Sequence, residues 1–189
     1  MKYKKPIKRA ITLAMCAAML GACSTYQTTQ ETPPPSNTYT TTSSDTDYES
    51  RMPQHFNTGG EKEIVVNPRV RAWGAYDANG DLMRSGIATS GGDWCHDTGR
   101  PCRTATGTYR LRSLGDEDCK SSKYPLPNGG GPMPYCMFFK GGQSIHGSPP
   151  MGIVDDNVSH GCVRIPIPDA EWLRYNFASV GTKIVILPY

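Results

Sequence analysis

No apolar run in this sequence is long enough to cross a bilayer. The one sustained hydrophobic stretch, "AITLAMCAAML" at 10–20, has eleven residues, about half of the roughly 20 that a membrane-spanning helix needs. An excess of positive charge is also missing once the first nine residues are set aside. The chain carries 20 Lys and Arg against 17 Asp and Glu, but "MKYKKPIKR" holds five of those basic residues and no acid. The remainder is slightly acidic, which speaks against a nucleic-acid partner held through its phosphates. There is no internal repeat. The glycine-rich stretches lack the strand, GK[ST] and helix context of a phosphate loop, and no CxxC knuckle marks a zinc site. Between Ser24 and Lys62 aliphatic residues are nearly absent, and Thr, Ser, Pro and Gln dominate, as in "TTQETPPPSNTYTTTSSDTD". Such composition cannot offset the entropy of ordering.

The N-terminus does have a basic segment followed by a short apolar one, the pattern of a secretory signal. "LGAC" at 20–23 resembles a bacterial lipobox, which implies cleavage before Cys23, lipidation of its thiol and a chain anchored to a membrane without spanning it. The alternative is an ordinary signal cleaved nearby, with Cys23 left over. Ser24 in the second position resembles lipoproteins sorted to the outer membrane, on the periplasmic face. The expected organisation is a signal peptide at 1–22, a lipidated cysteine and disordered tether at 23–62, and one domain at 63–189, an ordinary size for a single core. A glycosylated or adhesive stalk would share the tether's composition.

Within the domain, "EIVVN" at 63–67 and "RVRAWGAYD" at 69–77 are rich in β-branched and aromatic residues. The Asn79-Gly80 turn leads into "LMRSGIAT", and Asn-Gly tolerates the positive φ angles that tight hairpins require. "TGTYRLRS" at 106–113, "YCMFF" at 135–139, "QSIHG" at 143–147 and "TKIVIL" at 182–187 are further strand candidates, separated by Gly and Pro clusters. Only "DAEWLRYNFAS" reads as a helix, with Ala170, Leu173 and Phe177 on one apolar face and Asp169 available as its N-cap. The fold class predicted is mostly β, a sandwich or partly closed barrel with one helix near the C-terminus.

Seven cysteines are encoded. Cys16 leaves with the signal and Cys23 is assigned to lipid, so Cys95, Cys102, Cys119, Cys136 and Cys162 remain. In an exported chain four of these should be oxidised. "CHDTGRPC" closes a short loop, and Cys119 and Cys136 bracket a longer one around "PLPNGGGPMP". The spacing favours 95 with 102 and 119 with 136, although four cysteines allow three connectivities. A zinc site drawing on Cys95, His96, Cys102, Cys119 or Cys136 is the rival. In either case Cys162 has no partner.

A free thiol is mostly protonated at neutral pH, so a nucleophilic cysteine needs an imidazole or another positive field nearby. His55 lies in the tether and His96 in the first cysteine loop, which leaves His146 and His160. Gly161 clears space before the thiol for a substrate carbonyl to meet backbone N–H groups, and Arg164 offers a planar fork suited to a carboxylate. Each piece alone has a bland reading: a buried small hydrophobe, a satisfied histidine, a solvated charge.

Together, "HGSPPMGIVDDNVSHGCVR" from His146 to Arg164 resembles the signature of the L,D-transpeptidase (YkuD-type) catalytic domain. "YDANGDLMRSGIATSG" and "TATGTYRL" extend the likeness over most of 63–189. The resemblance implies that Cys162 is the acyl-accepting nucleophile and His146 its base, oriented by the Gly147 carbonyl. Ser159, His160 and Gly161 would shape the pocket, with N–H groups near Gly161 and Cys162 facing the oxyanion, and Arg164 would hold a substrate carboxylate. No cofactor or metal is implied. The substrate would be a peptidoglycan stem peptide, cut between diaminopimelate and D-alanine. The acyl group would pass to an amine for a 3→3 cross-link, to a wall-linked protein, or to water in an L,D-carboxypeptidase. Two features depart from the common family pattern. No peptidoglycan-binding repeat is recognisable, and the two cysteine-bounded insertions resemble, more weakly, small lipoproteins labelled enhanced-entry proteins. A non-catalytic wall-binding or host-interaction lipoprotein on the same scaffold is the reading from another class.

Overall fold

The computed structural model describes residues 47–189; the expected signal peptide, Cys23 and the expected tether up to residue 46 lie outside the described residues. Among the described residues, nine strands form two mixed sheets. One sheet orders β3 (Leu82–Ile87), β2 (Ala72–Tyr76), β1 (Glu63–Asn67), β9 (Lys183–Ile186) and β4 (Gly107–Arg110). The other orders β5 (Ser113–Leu114), β6 (Met137–Lys140), β7 (Gln143–Ser148) and β8 (Val163–Pro166). Two pairings are parallel, β1 with β9 and β7 with β8. One core joins Ile64, Val66 and Trp73 of the first sheet to Met137, Phe139, Ile145, Val163 and Ile165 of the second. The molecule is therefore a sandwich. No closed barrel forms, but Thr89 and Arg164 exchange two backbone hydrogen bonds of 2.9 Å that tie the end of β3 to β8.

The strand candidates read from alternation and β-branching are present, with "TGTYRLRS" broken into β4 and β5. The strand that follows Cys162, β8, was not among them. Its "VRIP" is four residues long and ends in proline, which leaves alternation little to register.

The helix forms as α1 (Ile167–Trp172) and continues as a wider π turn over Leu173–Phe177. Ala170, Leu173 and Phe177 are buried in the core as expected. Asp169 is not the N-cap: the helix starts two residues earlier, after Pro166, with Pro168 in its first turn, where a missing N–H costs nothing. Asp169 instead pairs with Arg84 at 2.6 Å.

Residues 47–62 do not behave as a tether. Met52, only 2 % exposed, and Phe56 cover Val65, Ala72 and Tyr76 on the outer face of the first sheet. Phe56 N–H donates to the Gly80 carbonyl at 2.9 Å and Leu82 N–H to the Gln54 carbonyl at 3.0 Å. Arg51 forks onto both oxygens of Asp155. This strap explains why β1 is buried on both faces, a pattern that an antiparallel sheet with one wet side would not give. Two apolar residues in sixteen are too few to stand out in composition. Glu63 in β1 is fully buried with its Oε2 2.7 Å from Lys183 Nζ, which also donates to the Thr58 carbonyl of the strap at 2.9 Å. The pair leaves both Glu63 oxygens without an aligned hydrogen bond, and burial together with Glu63 pushes the Tyr76 phenol up to about 12.

Candidate active site

Strands β7 and β8 run parallel in register, Ile145 beside Val163 and His146 beside Arg164. Alternation then sorts the side chains, because residues two apart share a face. Ile145, Val163 and Ile165 enter the core. His146, Ser148, Cys162 and Arg164 line one open cleft of about 1130 Å³. Five of the residues singled out in the sequence meet there: His146, Ser159, His160, Cys162 and Arg164.

His146 is 6 % exposed. Its Nδ1 lies 2.8 Å from the carbonyl oxygen of Gly147, and a carbonyl only accepts, so the proton sits on Nδ1 and the Nε2 lone pair is free. Burial lowers the imidazole from its usual 6.5 to about 4, against the Gly147 hydrogen bond and with help from the Arg164 charge. The imidazole is therefore neutral at physiological pH. Gly147 has a second role, since a Cβ there would sit 3.1 Å from Ile167 Cα at the start of α1. Any side chain would force the start of α1 to give way by a few tenths of an ångström.

Cys162 is the one free cysteine among the described residues and is half-buried. Ser144 donates its hydroxyl toward Sγ at 3.7 Å, and Sγ lies 3.8 Å from the Gly142 carbonyl. The turn before it is tightly built. Ser159 donates its hydroxyl to the Cys162 carbonyl and accepts from Gly161 N–H at 3.1 Å. Gly161 has φ +114°, and a Cβ there would meet Gln143 Nε2 at 2.8 Å. The turn hangs on the segment after β3, with Ser159 N–H donating to Ser90 O and Gly92 N–H to Ser159 O. One expectation changes here. Gly161 N–H is committed to Ser159, so of the two backbone donors expected at the oxyanion only that of Cys162 is uncommitted among the described residues.

The disulfides are Cys95–Cys102 and Cys119–Cys136. Cys95, Asp97 and His160 converge closely enough for a metal ion, but the Cys95 sulfur is bonded to Cys102 and cannot serve as a thiolate ligand. What the two loops do hold is His160. Both oxygens of Asp97, from the first loop, accept from its Nε2 at 2.7 and 2.9 Å, and that bond keeps the Asp97 carboxyl below its usual range. Tyr124, from the second loop, stacks on the ring at 4.4 Å, and Arg100 donates to the Tyr124 hydroxyl at 3.1 Å. Asp97, Tyr124, Ser144 and Gln143 were not singled out in the sequence. Ser144 was findable, two residues before His146 on a strand. Asp97 and Tyr124 sit in loops whose path no periodicity announces.

The fold is that of the L,D-transpeptidases. A solved L,D-transpeptidase from Xylanimonas cellulosilytica superposes with a TM-score of 0.61 at 23% identity over 72% of this chain and 65% of that one. One from Mycobacterium smegmatis gives 0.54 at 22% over 68% and 59%. L,D-transpeptidase 3 of Mycobacterium tuberculosis, solved with a faropenem-derived adduct, gives 0.53 at 20% over 67% and 60%. The chain thus spans less than two thirds of each of these proteins. Residues 61–186 match the family described as YkuD, the L,D-transpeptidase catalytic domain, and the chain belongs to that family. No curated protein matches it.

Proposed function

We propose that this protein is a peptidoglycan L,D-transpeptidase with Cys162 as its nucleophile. The observation that carries the reading is the pairing of β7 and β8, which puts Cys162 and a neutral, tautomer-locked His146 on one wall of one cleft. The Cys162 thiol gives its proton to His146 Nε2 while sulfur attacks the diaminopimelate carbonyl of a tetrapeptide stem. The Cys162 N–H faces the oxyanion. The carbon–nitrogen bond breaks, the imidazolium protonates the departing D-alanine amine, and a thioester remains. An amine then attacks the thioester carbonyl, its proton passes to His146, and sulfur leaves to recover the thiol. Arg164 holds a stem carboxylate. The acceptor is a diaminopimelate amine or a lysine of a wall-linked protein. A leader cleaved before Cys23 and a lipid on that residue would hold the enzyme at the periplasmic face of the outer membrane.

The test is intact-mass spectrometry of the full chain, purified in detergent, with a carbapenem and separately with disaccharide-tetrapeptide. A carbapenem adduct that Cys162→Ala abolishes, together with a cross-linked dimer, is expected. Tripeptide and free D-alanine without dimer would make it a carboxypeptidase. A folded protein giving neither adduct nor product would return it to the binding-protein class.

A further inference from the structure

The cleft around Cys162 gathers positive charge out of proportion to its surroundings. Residues 47–189 contain fifteen Lys and Arg and fifteen Asp and Glu. Yet the cleft is lined by Arg100, Lys120, Lys123, Lys140 and Arg164, and by one acid, Asp97, whose two oxygens are both taken by His160. The basic residues elsewhere are occupied. Arg51, Arg71, Arg84, Arg103, Arg110, Arg174 and Lys183 pair with carboxylates. Lys62, Arg69 and Arg112 donate to backbone carbonyls. None of the five cleft cations has a carboxylate partner among the described residues.

Four of these cations lie on the loops that border the cleft. Arg100 comes from the first disulfide loop, Lys120 and Lys123 from the second, and Lys140 from the end of β6, where it turns toward β7. Phenols hold two of them without neutralising them: Arg100 donates to the Tyr124 hydroxyl, and Lys140 to that of Tyr109 at 3.2 Å. Within one cleft these charges stand within about a Debye length of a bound ligand, so their fields add.

We propose that Arg100, Lys120, Lys123 and Lys140 form an anion-recognition rim, separate from Arg164, that selects acyl donors with additional free carboxylates. For a peptidoglycan stem this means a glutamyl residue that keeps its α-carboxylate, in preference to one capped as the carboxamide. The inference rests on the reading of the cleft as a stem-peptide site. It goes beyond that reading by assigning the discrimination to the two disulfide loops and the end of β6.

The test uses the full chain carrying Cys162→Ala, so that affinity is read without turnover. Two labelled tetrapeptide stems, identical except for carboxylate or carboxamide at the glutamyl residue, are titrated by fluorescence anisotropy. The free-acid stem should bind about tenfold more tightly at about 50 mM salt, with the gap narrowing at about 300 mM. In K120Q/K123Q/K140Q the ratio should fall to within about threefold, and K120R/K123R/K140R should restore it. Equal affinity for the two stems, a ratio that survives the glutamine substitutions, or no binding of either stem would each overturn the proposal. The parent protein, assayed for cross-linking in parallel, separates the two readings. Turnover with equal affinities retires the rim alone, while preferential binding without turnover retires the transpeptidase and leaves the rim standing.

Discussion

Lowering the pH should destabilise this protein through His146 in a calculable way. The imidazole falls from 6.5 to about 4 on folding, a difference of about 2.5 pKa units, and each unit corresponds to about 1.36 kcal/mol. Because the folded state resists protonation, the unfolded chain binds the proton first. The contribution is complete above about pH 6.5 and is lost progressively as pH falls toward about 4, to a total of about 3 kcal/mol. Urea unfolding of the wild type and of His146→Gln at several pH values between about 7.5 and 4.5 isolates it. The stability difference between the two should be flat near neutrality and then shift against the wild type by roughly 1.4 kcal/mol per pH unit. The His146 Cε1 proton resonance should titrate near the same low value, and carbapenem acylation of Cys162 should keep its rate well below pH 6. A titration midpoint at or above 6.5, or a pH-independent difference, would refute the argument that burial makes His146 a neutral base.

Gly161→Ala places a Cβ at φ +114° and 2.8 Å from Gln143 Nε2. It should cost about 1–3 kcal/mol in thermal unfolding and slow acylation of Cys162 at least about tenfold, since Gln143 also bonds Ala105 N–H and the Arg103 carbonyl. Lys183→Met leaves Glu63 buried without its counter-charge and should cost about 3–5 kcal/mol by urea unfolding, whereas the double change Glu63→Leu with Lys183→Met should be close to neutral. Met52→Ala should cost about 2 kcal/mol or more, and a chain starting at Glu63 should melt below one starting at Asp47; equal melting temperatures would mean that the strap is not part of the domain. Replacing Cys95 and Cys102 together by alanine should cost about 2–3 kcal/mol from loop closure alone. The same change should slow acylation by freeing Asp97 from His160, and an unchanged rate would show that the clasp does not support the nucleophile turn.

Much of this architecture was legible before any coordinates. β1 and β2 announced themselves because β-branched and aromatic residues cluster over five positions between turn residues. The loop lengths favoured the disulfide pairing found among three possible ones, and His146, Cys162 and Arg164 were pointed to by the resemblance of one nineteen-residue stretch to a family signature. β8 escaped because four residues ending in proline carry too little periodicity, and the helix start was misplaced because Pro166 and Pro168 mark the first turn better than Asp169 does. The strap at 47–62 was lost for a different reason. Its hold on the sheet depends on two apolar side chains and a few backbone hydrogen bonds to residues such as Gly80 and Leu82, and composition cannot weigh a long-range contact.

What the sequence by itself determined was the chemical inventory of the domain: five cysteines, four of them able to close two loops and a fifth left over, with a histidine sixteen residues before that fifth and an arginine two residues after it. Those are local facts of residue type and spacing. Only the tertiary structure decided how they combine. The parallel register of β7 on β8 sets His146 beside Arg164 and brings it into the same cleft as Cys162, and burial keeps its imidazole neutral at physiological pH. The packing of two separate loops brings Asp97 and Tyr124 onto His160 and sets unpaired cations around the thiol. Burial and proximity between distant segments are properties of the folded chain, and they set protonation, orientation and charge at this site.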